Sequence, residues 1–165
     1  MTDLERITSY LHAQAAKLSV PELVDKVRND ARLLRDALTS VPDDRFAVRP
    51  SPGEWSPNEV AAHIVTTSDL FGRAISEIVA GRDPTATPLD VMTEAAETRT
   101  GAEWWELHEA NRERLFASAL KADPEAHLDK SIYHPMFGNL NWREALLFLR
   151  VHDLDHARQI QATIG

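Results

Sequence analysis

A chain of 165 residues, 43% of them hydrophobic, is long enough for one domain with a single core, so we expect residues 1–165 to form one domain. It contains no cysteine, which excludes disulfides, thiolate metal ligands and a cysteine nucleophile and leaves histidine and carboxylate to bind any metal. A net charge of −8 argues against nucleic acid and anionic membranes as partners. The sequence has no apolar stretch long enough to cross a bilayer and no apolar leader, so we expect a cytoplasmic location.

Five helix starts are predicted by a capping pattern, in which a Ser, Thr or Asn is followed three residues later by Glu. In chain order the pairs are Thr2/Glu5, Ser19/Glu22, Ser56/Glu59, Thr100/Glu103 and Asn141/Glu144. Apolar residues recur at helical spacing after each pair. They include Leu4, Ile7 and Leu11, then Val24, Val27 and Leu34, then Val60, Ile64 and Phe71, then Trp104, Leu107 and Leu115, and finally Ala145, Leu149 and Ile160. Each segment therefore predicts an amphipathic helix.

The connections between these segments are rich in proline and glycine, notably at 42–55, 81–89 and 134–141. No segment alternates convincingly between apolar and polar residues, so we expect no strand. The sequence thus predicts an all-α bundle. Residues 88–99 are compatible with either a short extra helix or a crossover loop.

Three histidines fall within the apolar stripes. His152 and His156 are four residues apart and therefore share one face of the last helix, the face that continues from Leu149. His63 lies in the third stripe beside Ile64. Buried imidazoles leave ring nitrogens that need partners, and a metal ion shared by the three rings would satisfy them. A histidine pair that arises by chance and simply packs in the core is the alternative.

Two familiar metal motifs do not match. A zincin helix needs Glu directly after its first histidine, whereas Asp153 follows His152. A ferritin-like di-iron site needs Glu three residues before a histidine on each of two helices, and none of the seven histidines has one. We therefore expect one mononuclear site.

Two blocks carry a resemblance to a known family. The segment EWSPNEVAAHI at 54–64 and the segment HPMFGNLNWREALLFLRVHDLDHARQI at 134–160 resemble the DinB/YfiT-like family of helical-bundle metalloproteins. The resemblance implies a four-helix bundle, here with an additional N-terminal helix, and often a homodimer. It also implies that His63, His152 and His156 are the metal ligands and leave a coordination position open. A related mycothiol-dependent isomerase group has Glu in place of the middle histidine, and this chain departs from it with His152.

Two residues near these ligands are candidates for further roles. His134 precedes Pro135 in the loop before the last helix, where it is a candidate catalytic acid or base; a surface loop position is the alternative. Gln159 follows His156 by almost one turn and is a candidate for orienting a ligand, a bound water or a substrate, unless it only meets solvent.

Residues further from the ligands give weaker indications. His108 and Trp55 are candidates for lining a substrate pocket, although core packing is the simpler interpretation of the tryptophan. Asp153 and Asp155 flank the histidines, and we expect both to lie on the solvated helix surface.

The function that the resemblance implies is a metal-dependent hydrolase or transferase, in which zinc, nickel or iron activates water or a thiol for attack on a small electrophilic substrate. Because the chain has no cysteine, the thiol would be a low-molecular-weight cofactor such as mycothiol or bacillithiol. Two alternatives stay open. One is a non-catalytic stress-response module that binds a metal or a small ligand, and the other is an interaction bundle with vestigial histidines.

Overall fold

The structure is a computed structural model that describes residues 1–85 and 97–163. Six helices and two short strands lie within these residues. The helices are α1 (Asp3–Lys17), α2 (Val20–Ser40), α3 (Asp43–Phe46), α4 (Pro57–Val79), α5 (Gly101–Lys121) and α6 (Trp142–Ala162). The strands are β1 (Ile132–His134) and β2 (Gly138–Leu140).

All five predicted capping pairs are confirmed at the starts of the five long helices. At α4, the Ser56 hydroxyl accepts a hydrogen bond from the backbone N–H of Glu59, and the Glu59 carboxylate accepts one from the backbone N–H of Ser56, each at 3.1 Å. Because each pair satisfies backbone N–H groups that the helix itself leaves without partners, the helix starts are fixed by residues only three positions apart.

Four of the helices form the predicted bundle. Helix α2 packs against α5 and α6, and α4 packs against the same two helices from the other side. The short helix α3 follows α2, and α1 packs on the outside of the bundle against α6. The all-α four-helix bundle with an additional N-terminal helix is therefore confirmed. Among the described helices, none is long and apolar enough to cross a membrane.

The buried apolar residues form two clusters, one toward each end of the bundle. On α4 one cluster contains Val60 and the other contains Phe71, while on α6 they contain Ile160 and Leu149. Between them lies a band of buried polar side chains, whose members include His63, Thr67, Ser68, His108, Arg112, His152 and Asp153. Buried polar groups need specific partners, so this band is where a functional site is expected.

Two connecting segments differ from the prediction. Strands β1 and β2 pair as an antiparallel hairpin, with Ile132 opposite Leu140 and His134 opposite Gly138, so the expectation of no strand was wrong. Each strand has only three residues, which is too short for an alternating pattern to be recognised. The short helix α3 lies within the predicted 42–55 connection. Most of the 88–99 segment, up to residue 96, lies outside the described residues.

Candidate metal centre

The three predicted histidines converge. His63 lies on α4, and His152 and His156 lie one turn apart on α6. One ring nitrogen from each of the three lies within 4.8 Å of the others. The Nε2 atoms of His152 and His156 are 3.1 Å apart. The centroid of the His63 ring lies 4.9 Å from that of the His156 ring and 5.6 Å from that of the His152 ring. The packing of α4 on α6 thus produces a cluster of three imidazoles.

The cluster lies at the edge of the bundle interior. His63 and His152 are buried, while His156 is partly exposed. Burial lowers the pKa of His152 well below its usual range, and a charge on the neighbouring His156 would act in the same direction. Burial therefore favours the neutral form of the His152 ring, which is the form in which imidazole donates a lone pair to a metal.

The hydrogen bonds of the cluster decide which nitrogens face each other. The Nδ1–H of His156 donates to Oε1 of Gln159 at 2.8 Å, which leaves the lone pair of a neutral His156 on Nε2. That Nε2 faces Nε2 of His152. Nδ1 of His152 is buried and has no hydrogen-bond partner among the described residues.

These residues fit a divalent metal ion. In tetrahedral coordination with metal–nitrogen bonds of about 2.0–2.1 Å, neighbouring nitrogens lie about 3.3 Å apart. The observed 3.1 Å between the two Nε2 atoms is close to that separation, and the nitrogens of the full set lie within 4.8 Å of one another. Nitrogen donors without thiolates or carboxylates suit zinc, nickel, iron and copper.

Two open pockets reach the cluster from different sides. The first, of about 690 Å³, is bordered by Trp55, His63, His156 and Gln159. The second, of about 480 Å³, is bordered by His152 and His156 and by residues of α1, the hairpin and α6. Both volumes are in the range of small-molecule sites. Solvent and small ligands therefore have two routes to the imidazoles.

Two of the supporting candidates border the cluster directly. Gln159 is exposed and bonds to His156, and the Trp55 ring contacts the His63 ring edge-on with centroids 5.3 Å apart. Trp55 also borders the first pocket and is only partly buried, so it does not belong to the deep core.

His134 lies next to the cluster but does not join it. Its side chain is buried in the hairpin, where its Nδ1 accepts hydrogen bonds from the backbone N–H groups of Met136 and Phe137 at 3.0 and 3.4 Å. An Nδ1 that accepts leaves the ring proton on Nε2. The His134 ring contacts Phe148, which in turn contacts His152, and both histidines border the second pocket.

His108 and Asp153 belong to a different cluster. Asp153 is fully buried and forms an ion pair with Arg112 at 2.8 and 2.9 Å, so the expectation of a solvated position was wrong. Nε2 of the buried His108 lies 3.6 Å from the same carboxylate, and the His108 ring borders neither pocket of the histidine cluster. Asp155 is exposed, as expected.

The charge on Asp153 depends on its partner. Burial alone would raise the pKa of Asp153, but Arg112, with His108, outweighs burial and holds that pKa below its usual range. Sequence reasoning did not identify Arg112. Its position in the apolar stripe of α5, four residues after His108 and three before Leu115, indicates that its side chain faces the interior.

A four-helix bundle with three converging histidines from two of its helices defines a class of candidate metalloproteins. The model of the DinB superfamily matches residues 26–160, so the chain belongs to that superfamily and the resemblance is confirmed.

Solved structures agree with this fold. The chain is similar to TT2238, described as a four-helix bundle protein, at 22% identity and a TM-score of 0.64, over 87% of this chain and 99% of that one. It is also similar to the DinB-like protein YjoA from Bacillus subtilis, at 20% identity and a TM-score of 0.60, over 86% of this chain and 89% of that one. No curated protein matches the sequence.

Proposed function

We propose that the chain is a metal-dependent enzyme in which His63, His152 and His156 hold one divalent ion, such as zinc, nickel or iron. The observation that carries this proposal is the convergence of three ring nitrogens at the edge of the bundle interior. A set of three protein ligands leaves a position for a reactant, as in catalytic sites rather than closed structural ones. When bound, the metal supplies Lewis acidity that lowers the pKa of a coordinated water or thiol.

The protein residues around the ligands have separate tasks. Oε1 of Gln159 accepts a hydrogen bond from the Nδ1–H of His156, which fixes the orientation of that ring. The two pockets give two reactants separate approaches to the same imidazoles. His134 borders the second pocket, where its imidazole can contact a bound electrophile.

The reaction that this arrangement supports is attack of an activated nucleophile on a small electrophile. The nucleophile is either water or a thiol, and a thiol would come from a low-molecular-weight cofactor such as mycothiol or bacillithiol because the chain has no cysteine. In the thiol case a sulfur–carbon bond forms, the leaving group departs with its electron pair, and the thiol proton is released to solvent.

Turnover of a chromogenic electrophile tests this proposal. Metal-loaded protein is incubated with 1-chloro-2,4-dinitrobenzene and a panel of low-molecular-weight thiols, and with a nitrophenyl ester for the hydrolytic reaction. We expect turnover with at least one nucleophile, and loss of that turnover both in His152→Ala and after chelation. The matched control is His127→Asn, which changes a histidine outside the cluster at a left-handed position that Asn tolerates.

Two results would overturn the proposal in different ways. Stoichiometric metal binding without turnover across the whole panel would indicate a non-catalytic binding module. Turnover that persists unchanged in His152→Ala would show that the reaction does not use the histidine cluster.

A further inference from the structure

We infer that the second pocket, which α1 completes beside the histidine cluster, binds a small ligand with an apolar body and an anionic group. As a statement about binding, the inference stands without the metal. As a statement about the substrate class, it rests on the proposed function.

The shape and lining of the pocket favour an apolar body. The walls come from Ile7 and Tyr10 on α1, Met136 and Phe137 in the hairpin, and Phe148 and Val151 on α6. Contact between the Phe137 and Phe148 rings, with centroids 5.6 Å apart, makes one wall aromatic. A volume of about 480 Å³ suits a small molecule, because binding sites of this kind span roughly 300–1,000 Å³.

The charges at the pocket favour an anion. Its lining contains three arginines, Arg6, Arg150 and Arg158, against the single carboxylate of Asp155. The whole chain has the opposite balance, with 18 basic and 26 acidic residues. Asp3 and Asp30, which lie outside the lining, pair with Arg6 and Arg150, so the preference for an anion rests on Arg158 and on the guanidinium N–H groups that these two pairs leave available.

The arginines retain the capacity to bind. Arg158 is exposed and makes no ion pair among the described residues. Arg150 donates one N–H to Asp30 and another to the Tyr10 hydroxyl. A guanidinium has five N–H groups, so three remain to donate to a ligand. Arg6 pairs with Asp3, but both side chains are largely exposed, so that pair is weak and readily exchanged.

The position of the pocket connects the ligand to the proposed chemistry. His152 and His156 border it together with the arginines, so a ligand seated there contacts both the cationic residues and the metal-ligand set. The wall formed by α1 precedes residues 26–160, the region that matches the superfamily. Ligand choice is therefore set partly by a helix outside the matched region.

Three probes with the same apolar body separate the contributions of charge and shape. They are 4-phenylbutyrate, 4-phenylbutan-1-ol and 4-phenylbutylamine, titrated into the metal-free full-length chain by calorimetry. We expect the acid to bind roughly tenfold tighter than the alcohol and the amine to bind weakest, because several partly exposed arginines each contribute a small attraction.

Matched variants locate the effect. Arg158→Gln should lower the preference for the acid over the alcohol about threefold, since it removes a lining cation that makes no ion pair with the described residues. Arg32→Gln, which removes an exposed arginine outside the pocket lining, is the control for net charge and should leave the preference unchanged. Ile7→Gln should weaken all three probes alike, because it changes the apolar wall on α1.

Three results would overturn the inference. They are equal affinity for acid and alcohol, no binding of any probe at millimolar concentration, or an acid preference that Arg158→Gln leaves intact. Since the titrations use metal-free protein, each of these results leaves the turnover test of the proposed function unaffected.

Discussion

Removal of one partner from the buried ion pair of Arg112 and Asp153 should strongly destabilise the bundle. The two side chains are 5% and 0% exposed and share two hydrogen bonds of 2.8 and 2.9 Å, with a third from Arg112 to Ser68 at 3.2 Å. Arg112→Met would leave the Asp153 carboxyl buried without its partner, so that it must either remain an unpaired charge or take up a proton. An orphaned buried charge of this kind costs about 3–5 kcal/mol.

An exposed pair of the same type provides the control. Arg28 and Glu113 also form two hydrogen bonds, at 2.9 and 3.0 Å, but the two side chains are 41% and 49% exposed. Arg28→Met should cost less than about 1 kcal/mol, because water solvates the remaining carboxylate. The double variant Arg112→Met/Asp153→Leu should recover most of the loss, since neither charge then remains buried.

Urea unfolding of the metal-free protein, followed by circular dichroism, measures these differences. With a slope of about 2 kcal/mol per molar urea, the Arg112→Met midpoint should fall by roughly 2 M, and the Arg28→Met midpoint by less than about 0.5 M. Equal midpoints for the two single variants would refute the argument, because burial would then make no difference to the cost of breaking such a pair.

Other predictions concern packing, pH and the histidine cluster. Gly101→Ala should lower stability by about 1–3 kcal/mol in the same urea experiment, because an added Cβ would lie 1.9 Å from a backbone carbonyl oxygen of α2. Gly72→Ala is the control and should be neutral or stabilising, because its added Cβ makes only ordinary contacts. The hydrogen bond from Arg49 lowers the pKa of Glu59 from 4.5 to about 2, so the pair stabilises the fold above pH 4.5 and loses this effect as the pH falls toward 2. Unfolding midpoints at pH 5.5 and 3 should therefore differ less in Arg49→Gln than in the unchanged chain. Gln159→Leu should weaken zinc affinity about tenfold in a competition titration, and unchanged affinity would mean that this amide does not orient the cluster.

The parts of the fold that were predictable depend on local signals. A capping pair joins residues three apart, and a shared helix face joins residues four apart, so the start of α6 and the common face of His152 and His156 can both be read directly from the sequence. The burial of His63 on α4 was also predicted correctly, because it follows from the local helical spacing of the apolar residues around it. Its meeting with the α6 histidines depends on how α4 packs, which was expected from the family resemblance.

Features that depend on long-range pairing were missed. Asp153 lies four residues after Leu149 and four before Ala157, both buried, so its stripe position indicated the interior. We nevertheless expected the charged side chain of Asp153 to lie in solvent, because its partner Arg112 is 41 positions away on another helix and could not be identified from the sequence. The hairpin was missed because its three-residue strands carry no usable periodicity, and the burial of His134 follows from that hairpin.

The central claim is that three imidazoles bind one divalent ion, and metal analysis of the untagged protein tests it most directly. Protein purified without chelators and then equilibrated with zinc should contain one ion per chain by elemental analysis, while His63→Ala, His152→Ala and His156→Ala should each lose most of it and His127→Asn should retain it. A chain that folds normally yet retains no stoichiometric zinc, or variants that bind as much as the unchanged protein, would contradict the claim.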